Sequence, residues 1–260
     1  MRTRWGNEGT PINAGQVKQL RDQLNPDTTD SSAFETPRLA NLLAAPNADQ
    51  VVRGMRLHLQ TKALLPDNVG NSLNCTSCHL NAGTVADGSP FVGVSAFFPS
   101  YAPRAGKVVT LKERINGCFR RSMNGKPLAP QSADMQAMVA YFDWMKNNTC
   151  REDKVAGRGV GKIDPAIKPG LDNGKQVYPP LWGEQSFNIG AGMARPYTAA
   201  AFVKRNMPIG VHEKLPLGQG GLSDQEAVDV AAYFSGQPRP DFPDKVKDWP
   251  NGGKPVDARY

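Results

Sequence analysis

Seven side chains in this chain, four cysteines and three histidines, could bind a soft metal or be alkylated by a cofactor. Three of the seven stand together in Cys75-Thr76-Ser77-Cys78-His79. This is a C-x-x-C-H pattern, the attachment signature of c-type haem. Each thiol can form a thioether to a haem vinyl group, and the adjacent imidazole reaches the iron as proximal ligand. A disulfide across the two cysteines and half of a zinc site are the competing readings. The zinc reading lacks a second Cys/His pair to complete it.

A third cysteine sits in a different setting. Cys118 lies in Lys112-Glu113-Arg114-Ile115-Asn116-Gly117-Cys118-Phe119-Arg120-Arg121-Ser122-Met123, flanked by the cations Lys112, Arg114, Arg120 and Arg121. Nearby cations favour the thiolate, the form that binds metal and attacks sulfur. Arginine forks also grip multiply charged oxyanions. A thiolate ligand raises electron density on haem iron and lowers its potential. The competing reading pairs Cys118 with Cys150 in a disulfide.

Around these residues the chain has room for two modest domains in 260 residues. The charge is +7 and the pI about 9.3. There is no nucleic-acid motif and no long Lys/Arg run, so a small anionic substrate or an acidic redox partner fits better. A solvated basic surface without function is the bland alternative. No apolar run reaches the ~18 residues of a membrane span. Met1-Arg2-Thr3-Arg4-Trp5-Gly6 has no apolar h-region. Because covalent haem attachment belongs outside the cytoplasm, the expected location is the periplasm, with a signal peptide not included in these residues.

In chain order, residues 1–45 read as an N-terminal arm, with helical spacing from Gly15 to Leu24. Residues 46–150 read as a haem-binding domain. It opens with a helix from Ala48 to Leu64, with Asn47 at its N-cap and Val51, Met55, Leu59 and Ala63 on one face. His58, on this helix, reads as a core or surface residue. The apolar segment Phe91–Tyr101 is placed on a haem face, or in ordinary core. Ser132 caps a helix from Ala133 to Lys146. Residues 151–173 are rich in Gly, Pro and Lys and read as a linker. Residues 174–240 form a second unit, with helices from Thr198 to Arg205 and from the capping box Ser223-x-x-Glu226 to Phe234. Residues 241–260 are a Pro-rich tail.

The last helices of the two units echo each other: Gln136–Phe142 matches Val228–Phe234, and both end in Ala-Tyr-Phe. Counting back from each tyrosine brings Cys118 and Met207 to similar places. The fold expected is therefore mainly α, two class I cytochrome c-like domains in tandem. Only the N-terminal domain carries haem, because the second has no C-x-x-C-H. Beyond residue 118 the only further Cys is Cys150 and the only His is His212. Met207 is then an ordinary core methionine.

The chain resembles the c-type cytochrome thiosulfate dehydrogenases, relatives of the SoxA subunit of the sulfur-oxidising complex. The resemblance rests on Cys75–His79, Arg114–Gly125, Met135–Tyr141, Tyr178–Gly183, Ser186–Met193 and Asn206-Met207-Pro208. It implies axial ligation of a haem c by His79 and Cys118, with Arg104, Arg114 and Ser122 near an anion site. The implied reaction couples two thiosulfates into tetrathionate and releases two electrons, which pass to an acceptor c-type cytochrome. Family members typically carry two haems. Here the stretch between Lys175 and Pro179, where the second attachment motif belongs, is too short to contain one. The expectation is thus a mono-haem oxidoreductase. The alternatives are a non-catalytic electron-transfer subunit and a haem sensor of thiosulfate or another small ligand.

Overall fold

In the computed structural model, residues 34–38, 41–42, 44–151, 153, 155–170, 181–207 and 220–260 are described. The expected helix at Gly15–Leu24, the stretch Lys175–Pro179 and His212 lie outside them. The described chain is mainly helical. Five helices of at least eleven residues, one two-stranded hairpin and several single turns build it.

Helix α1, Ala48–Leu59, buries Val51, Val52, Met55, Leu57 and His58. It is shorter than the sequence pattern indicates. Gln60 leaves helical geometry, and a separate turn covers Thr61–Leu64, with Ala63 exposed. The break has a use: it lets the Thr61 hydroxyl accept from the Cys75 backbone N–H at 2.9 Å. Asn47 occupies the N-cap position, yet its side chain makes no capping bond. The hairpin, β1 (Ser100–Ala102) paired antiparallel with β2 (Lys107–Val109), was not visible in the sequence pattern. It leads into helix α2, Leu111–Arg121, whose capping box joins Thr110 and Glu113. Helix α3, Ala133–Trp144, starts where Ser132 accepts from the Met135 N–H. Helix α4, Pro196–Asn206, begins two residues earlier than read, because Pro196 fits the first helical turn. Helix α5, Asp224–Gly236, opens on the expected Ser223/Glu226 box.

Two hydrophobic clusters result. In the first, α1 crosses α3 so closely that a Cβ at Gly54 would lie 2.0 Å from the Ala137 carbonyl oxygen. In the second, α4 packs on α5 through Ala199, Ala200, Ala227 and Ala231. Leu73 packs against both. Met207, half-buried, packs on the second cluster.

The segment read as a linker is pinned along its described length. Gly157 and Gly159 carbonyls accept from Asp87 and Ser89, and Ile163 is buried in the second cluster. The tail is pinned too, with Trp249 N–H donating to the Arg104 carbonyl at 2.8 Å. No helix among the described residues is long and apolar enough to cross a membrane.

Candidate haem and anion site

A single 3-10 turn, Cys75–Ser77, sets the attachment residues. The Cys75 carbonyl accepts from both Cys78 and His79 N–H groups, at 3.1 and 2.9 Å. The Asn74 N–H is held by the Ser77 hydroxyl and the Asn74 side chain accepts from Lys62 N–H. Cys75, Cys78 and His79 therefore line one cavity, with Phe91, Phe119 and Met138 among its apolar walls. Of the segment Phe91–Tyr101, Phe91 reaches this cavity, Val92 and Phe98 pack in the core, and Tyr101 is exposed.

His79 Nδ1 lies 2.6 Å from the Ser89 carbonyl oxygen. A carbonyl can only accept, so Nδ1 carries the proton and Nε2 keeps its lone pair free. The ring also packs on Phe91, centroids 4.5 Å apart. The loop that presents Ser89 is held from the other half: Asn206 donates to the Asp87 carbonyl at 3.1 Å.

Cys118 sits on α2 beside the core residues Ile115 and Phe119. The helix is anchored by Asn116, whose amide makes two hydrogen bonds to the Leu128 backbone. One turn back from Cys118, Arg114 donates to its Sγ at 3.0 Å. Burial pushes the Cys118 thiol up, but the Arg114 guanidinium and then the nearby His79 more than offset that, and it settles at about 6. Burial raises the Cys75 and Cys78 thiols to about 12. None of the four cysteines is in a disulfide, and Cys150 is exposed. The Cys118–Cys150 pairing and a Cys75–Cys78 bridge are thus not formed. Among the described residues no group of three His, Cys, Asp or Glu side chains gathers for a metal ion, so the zinc reading finds no completion. Un-crosslinked thiols, an imidazole of fixed tautomer, a facing thiol and apolar walls fit a c-type haem.

His58, by contrast, is a core residue. It is 1% exposed, its Nδ1 is 2.7 Å from the Gly54 carbonyl, and burial lowers it to about 3.

A second, open cleft adjoins the cavity and shares Cys78, His79, Cys118 and Ser122 with it. All four residues named for catalysis, Cys118, Arg104, Arg114 and Ser122, line it. Arg104, between β1 and β2, donates to the Gly190 carbonyl at 2.7 Å and stacks over Trp249. Ser122 caps α2, with its carbonyl held by Asn71. Lys112, Arg120 and Arg121 part company. Arg121 makes a bidentate pair with Asp248, at 2.7 and 2.8 Å, while Arg120 is exposed on the cleft's rim and Lys112 is not among the lining residues.

Sequence reasoning missed Asp248, Trp249, Tyr260 and Arg195. Asp248, its side chain 4% exposed, takes Arg121, Arg104 at 3.8 Å and the Tyr260 hydroxyl at 2.5 Å. No local pattern marks these residues, because the partners that tie them to the cleft come from distant segments: Asp248 meets Arg121 and Trp249 meets Arg104 across more than a hundred positions.

Comparison with known proteins identifies a cytochrome family and its relatives. Residues 67–147 match the family model described as SoxA/TsdA, cytochrome c domain. A thiosulfate dehydrogenase of Psychrobacter arcticus is 45% identical, over 80% of this chain and 69% of the relative. One of Allochromatium vinosum is 37% identical, over 92% of this chain and 96% of the relative. Among solved structures, the thiosulfate dehydrogenase TsdBA of Marichromatium purpuratum in its as-isolated form superposes with a TM-score of 0.73 at 32% identity. That match covers 82% of this chain, which spans half the length of the other.

Proposed function

From the premise that this chain belongs to the thiosulfate dehydrogenase family of SoxA/TsdA cytochromes, we propose that it is a mono-haem enzyme oxidising two thiosulfates to tetrathionate in the periplasm. It is an oxidoreductase of the thiosulfate dehydrogenase type with a cytochrome c domain. Its two helix pairs stand as tandem cytochrome c-like units, the first holding haem c. Cys75 and Cys78 would hold that haem through thioethers, and His79 and Cys118 would ligate the iron. When bound, the haem supplies a one-electron acceptor within reach of the sulfur chemistry.

The observation that carries the reading is the Arg114–Cys118 contact at the mouth of a cationic cleft opposite His79. Arg114 keeps the residue-118 sulfur anionic. Arg104 and Ser122 offer donors to the sulfonate oxygens of thiosulfate. The Cys118 thiolate joins the sulfane sulfur of one thiosulfate, and forming that S–S bond releases two electrons, which pass one at a time to two acceptor cytochrome haems. The sulfane sulfur of a second thiosulfate then attacks the bound sulfane sulfur. Tetrathionate forms and the Cys118 thiolate is returned, with no further electrons exchanged.

The test is tetrathionate formation by haem-loaded protein with a chemical electron acceptor, together with a haem count. One haem per chain and turnover that is lost in Cys118→Gly are expected. A loaded protein with Cys118 intact and no turnover sinks the proposal. A Cys118→Gly variant that keeps turnover and shifts only the haem spectrum assigns Cys118 to tuning the potential.

A further inference from the structure

The cleft holds more arginines than the family resemblance assigns, and only one of them is half-buried with an idle donor. Arg104 and Arg121 share Asp248. Arg114 is engaged with Cys118. Lys107 pairs with Glu113, and Lys247 with Asp244. Arg120 is exposed at the rim, in the field of Asp244. Arg195 differs from all of these. It is half-buried, its Nε is buried without a hydrogen-bond partner, and no ion pair to it is found among the described residues.

Arg195 also reaches the cleft from a different element. It stands at the N-cap of α4, in the helix pair without an attachment motif, while Arg114 and Cys118 come from α2. It is close enough to Arg104 for the two cations to repel. Arg104 and Arg121 share the single carboxylate Asp248, and Arg195 beside Arg104 brings no anion of its own, so these three cations exceed that carboxylate by two positive charges. Tyr260 does not change this balance, since burial and Asp248 push its hydroxyl up to about 12, leaving it neutral. A half-buried cation with an idle donor is costly to the free protein and valuable to a ligand that satisfies it. Two surplus positive charges match one sulfur oxyanion dianion.

Building on the proposed thiosulfate chemistry, we propose that Arg195 is a substrate-binding residue. It grips the sulfonate of the sulfur oxyanion farther from Cys118, meaning the second thiosulfate or the distal end of tetrathionate. Coupling brings two dianions together, so cations from both elements screen their repulsion.

The experiment compares Arg195→Gln and Arg195→Lys with the parent holoprotein. Calorimetric titration with thiosulfate and with tetrathionate, without any electron acceptor, reads binding independently of turnover. Arg195→Gln is expected to weaken tetrathionate binding by roughly tenfold, the loss of one charge-assisted contact. In turnover, the thiosulfate KM rises by a similar factor while kcat changes less. Arg195→Lys recovers part of the affinity, and all three proteins share one haem spectrum and one melting temperature. If Arg195→Gln binds both anions as tightly as the parent, the assignment is wrong. It is equally wrong if the parent binds neither anion. A parent that binds both anions without oxidising thiosulfate would overturn the proposed reaction and leave Arg195 in its role.

Discussion

The two helix pairs finish on the same Ala-Tyr-Phe triplet and bury it to different ends. In the first, Tyr141 is fully buried, its hydroxyl donates to the Ala82 carbonyl at 3.0 Å, and burial raises its pKa. Its neighbours are the aromatic and sulfur side chains that wall the cavity. In the second, Tyr233 is half-buried and meets the edge of Trp182, 6.1 Å away. The helices there meet on alanines, and small residues let the backbones approach closely. One pair sets large side chains around a cavity, and the other joins its described helices through small ones. The second pair contributes outward instead: Asn206 holds the Ser89 loop, Asn188 holds the end of α2 through the Arg120 and Arg121 carbonyls, and Arg195 enters the cleft.

The largest effect that could break this contrast comes from removing the attachment thiols. Cys75→Ala together with Cys78→Ala should abolish haem that survives denaturing electrophoresis, since no other Cys pair has the spacing. Haem staining of the variant that stayed at even half the parental level would place a covalent haem elsewhere, and the division between the pairs would fall.

Next in size is the helix crossing. A Cβ at Gly54 would sit 2.0 Å from the Ala137 carbonyl and 2.8 Å from Tyr141 Cβ. Gly54→Val should therefore force α1 off α3, at about 3 kcal/mol or more by the usual cost of overpacking. Chemical denaturation reads this as a lowered midpoint. Ala200→Val, in the second pair, should cost about 1–3 kcal/mol and leave the haem spectrum unchanged. Equal spectral damage from both would mean that the cavity does not belong to the first pair alone.

How much of this could be read without coordinates follows the distance between partners. The C-x-x-C-H turn, Arg114 one turn from Cys118, and the caps at Ser132 and Ser223 are local arrangements, and local spacing announces them. The break at Gln60 is not local in origin. Thr61 must reach Cys75, fourteen residues on, and helical periodicity carries no trace of that demand. Asp248 is further out of reach: it meets Arg121 across 127 positions from a Pro-rich stretch without periodicity. The site's chemistry is therefore written in short motifs, while its charge balance is set by tertiary contacts that no motif encodes.

A smaller effect sharpens the contrast through acid. His58 sits in the first core with its pKa lowered to about 3 by burial, against 6.5 in the unfolded chain. Between these values the unfolded state binds a proton that the folded state refuses, so stability falls as pH drops from about 6.5 toward 3. The slope from this group is at most ~1.4 kcal/mol per pH unit. Denaturation midpoints at pH 7, 6 and 5 should decline less steeply in His58→Leu than in the parent. Parallel declines would show that the acid response arises outside the α1–α3 core.

The smallest expected effect concerns the last cysteine. Cys150 is exposed, and its backbone N–H donates to the Asp153 carboxylate at 2.6 Å while its carbonyl accepts from the Asp153 N–H, both of which a serine would keep. Cys150→Ser should shift stability by no more than ~0.5 kcal/mol, as surface substitutions do. Haem spectrum and turnover should stay as they are. A large change in the spectrum would mean that Cys150 holds the Cys118 sulfur in solution. In that case the free thiol beside Arg114, on which the difference between the two helix pairs turns, would not exist in the working protein.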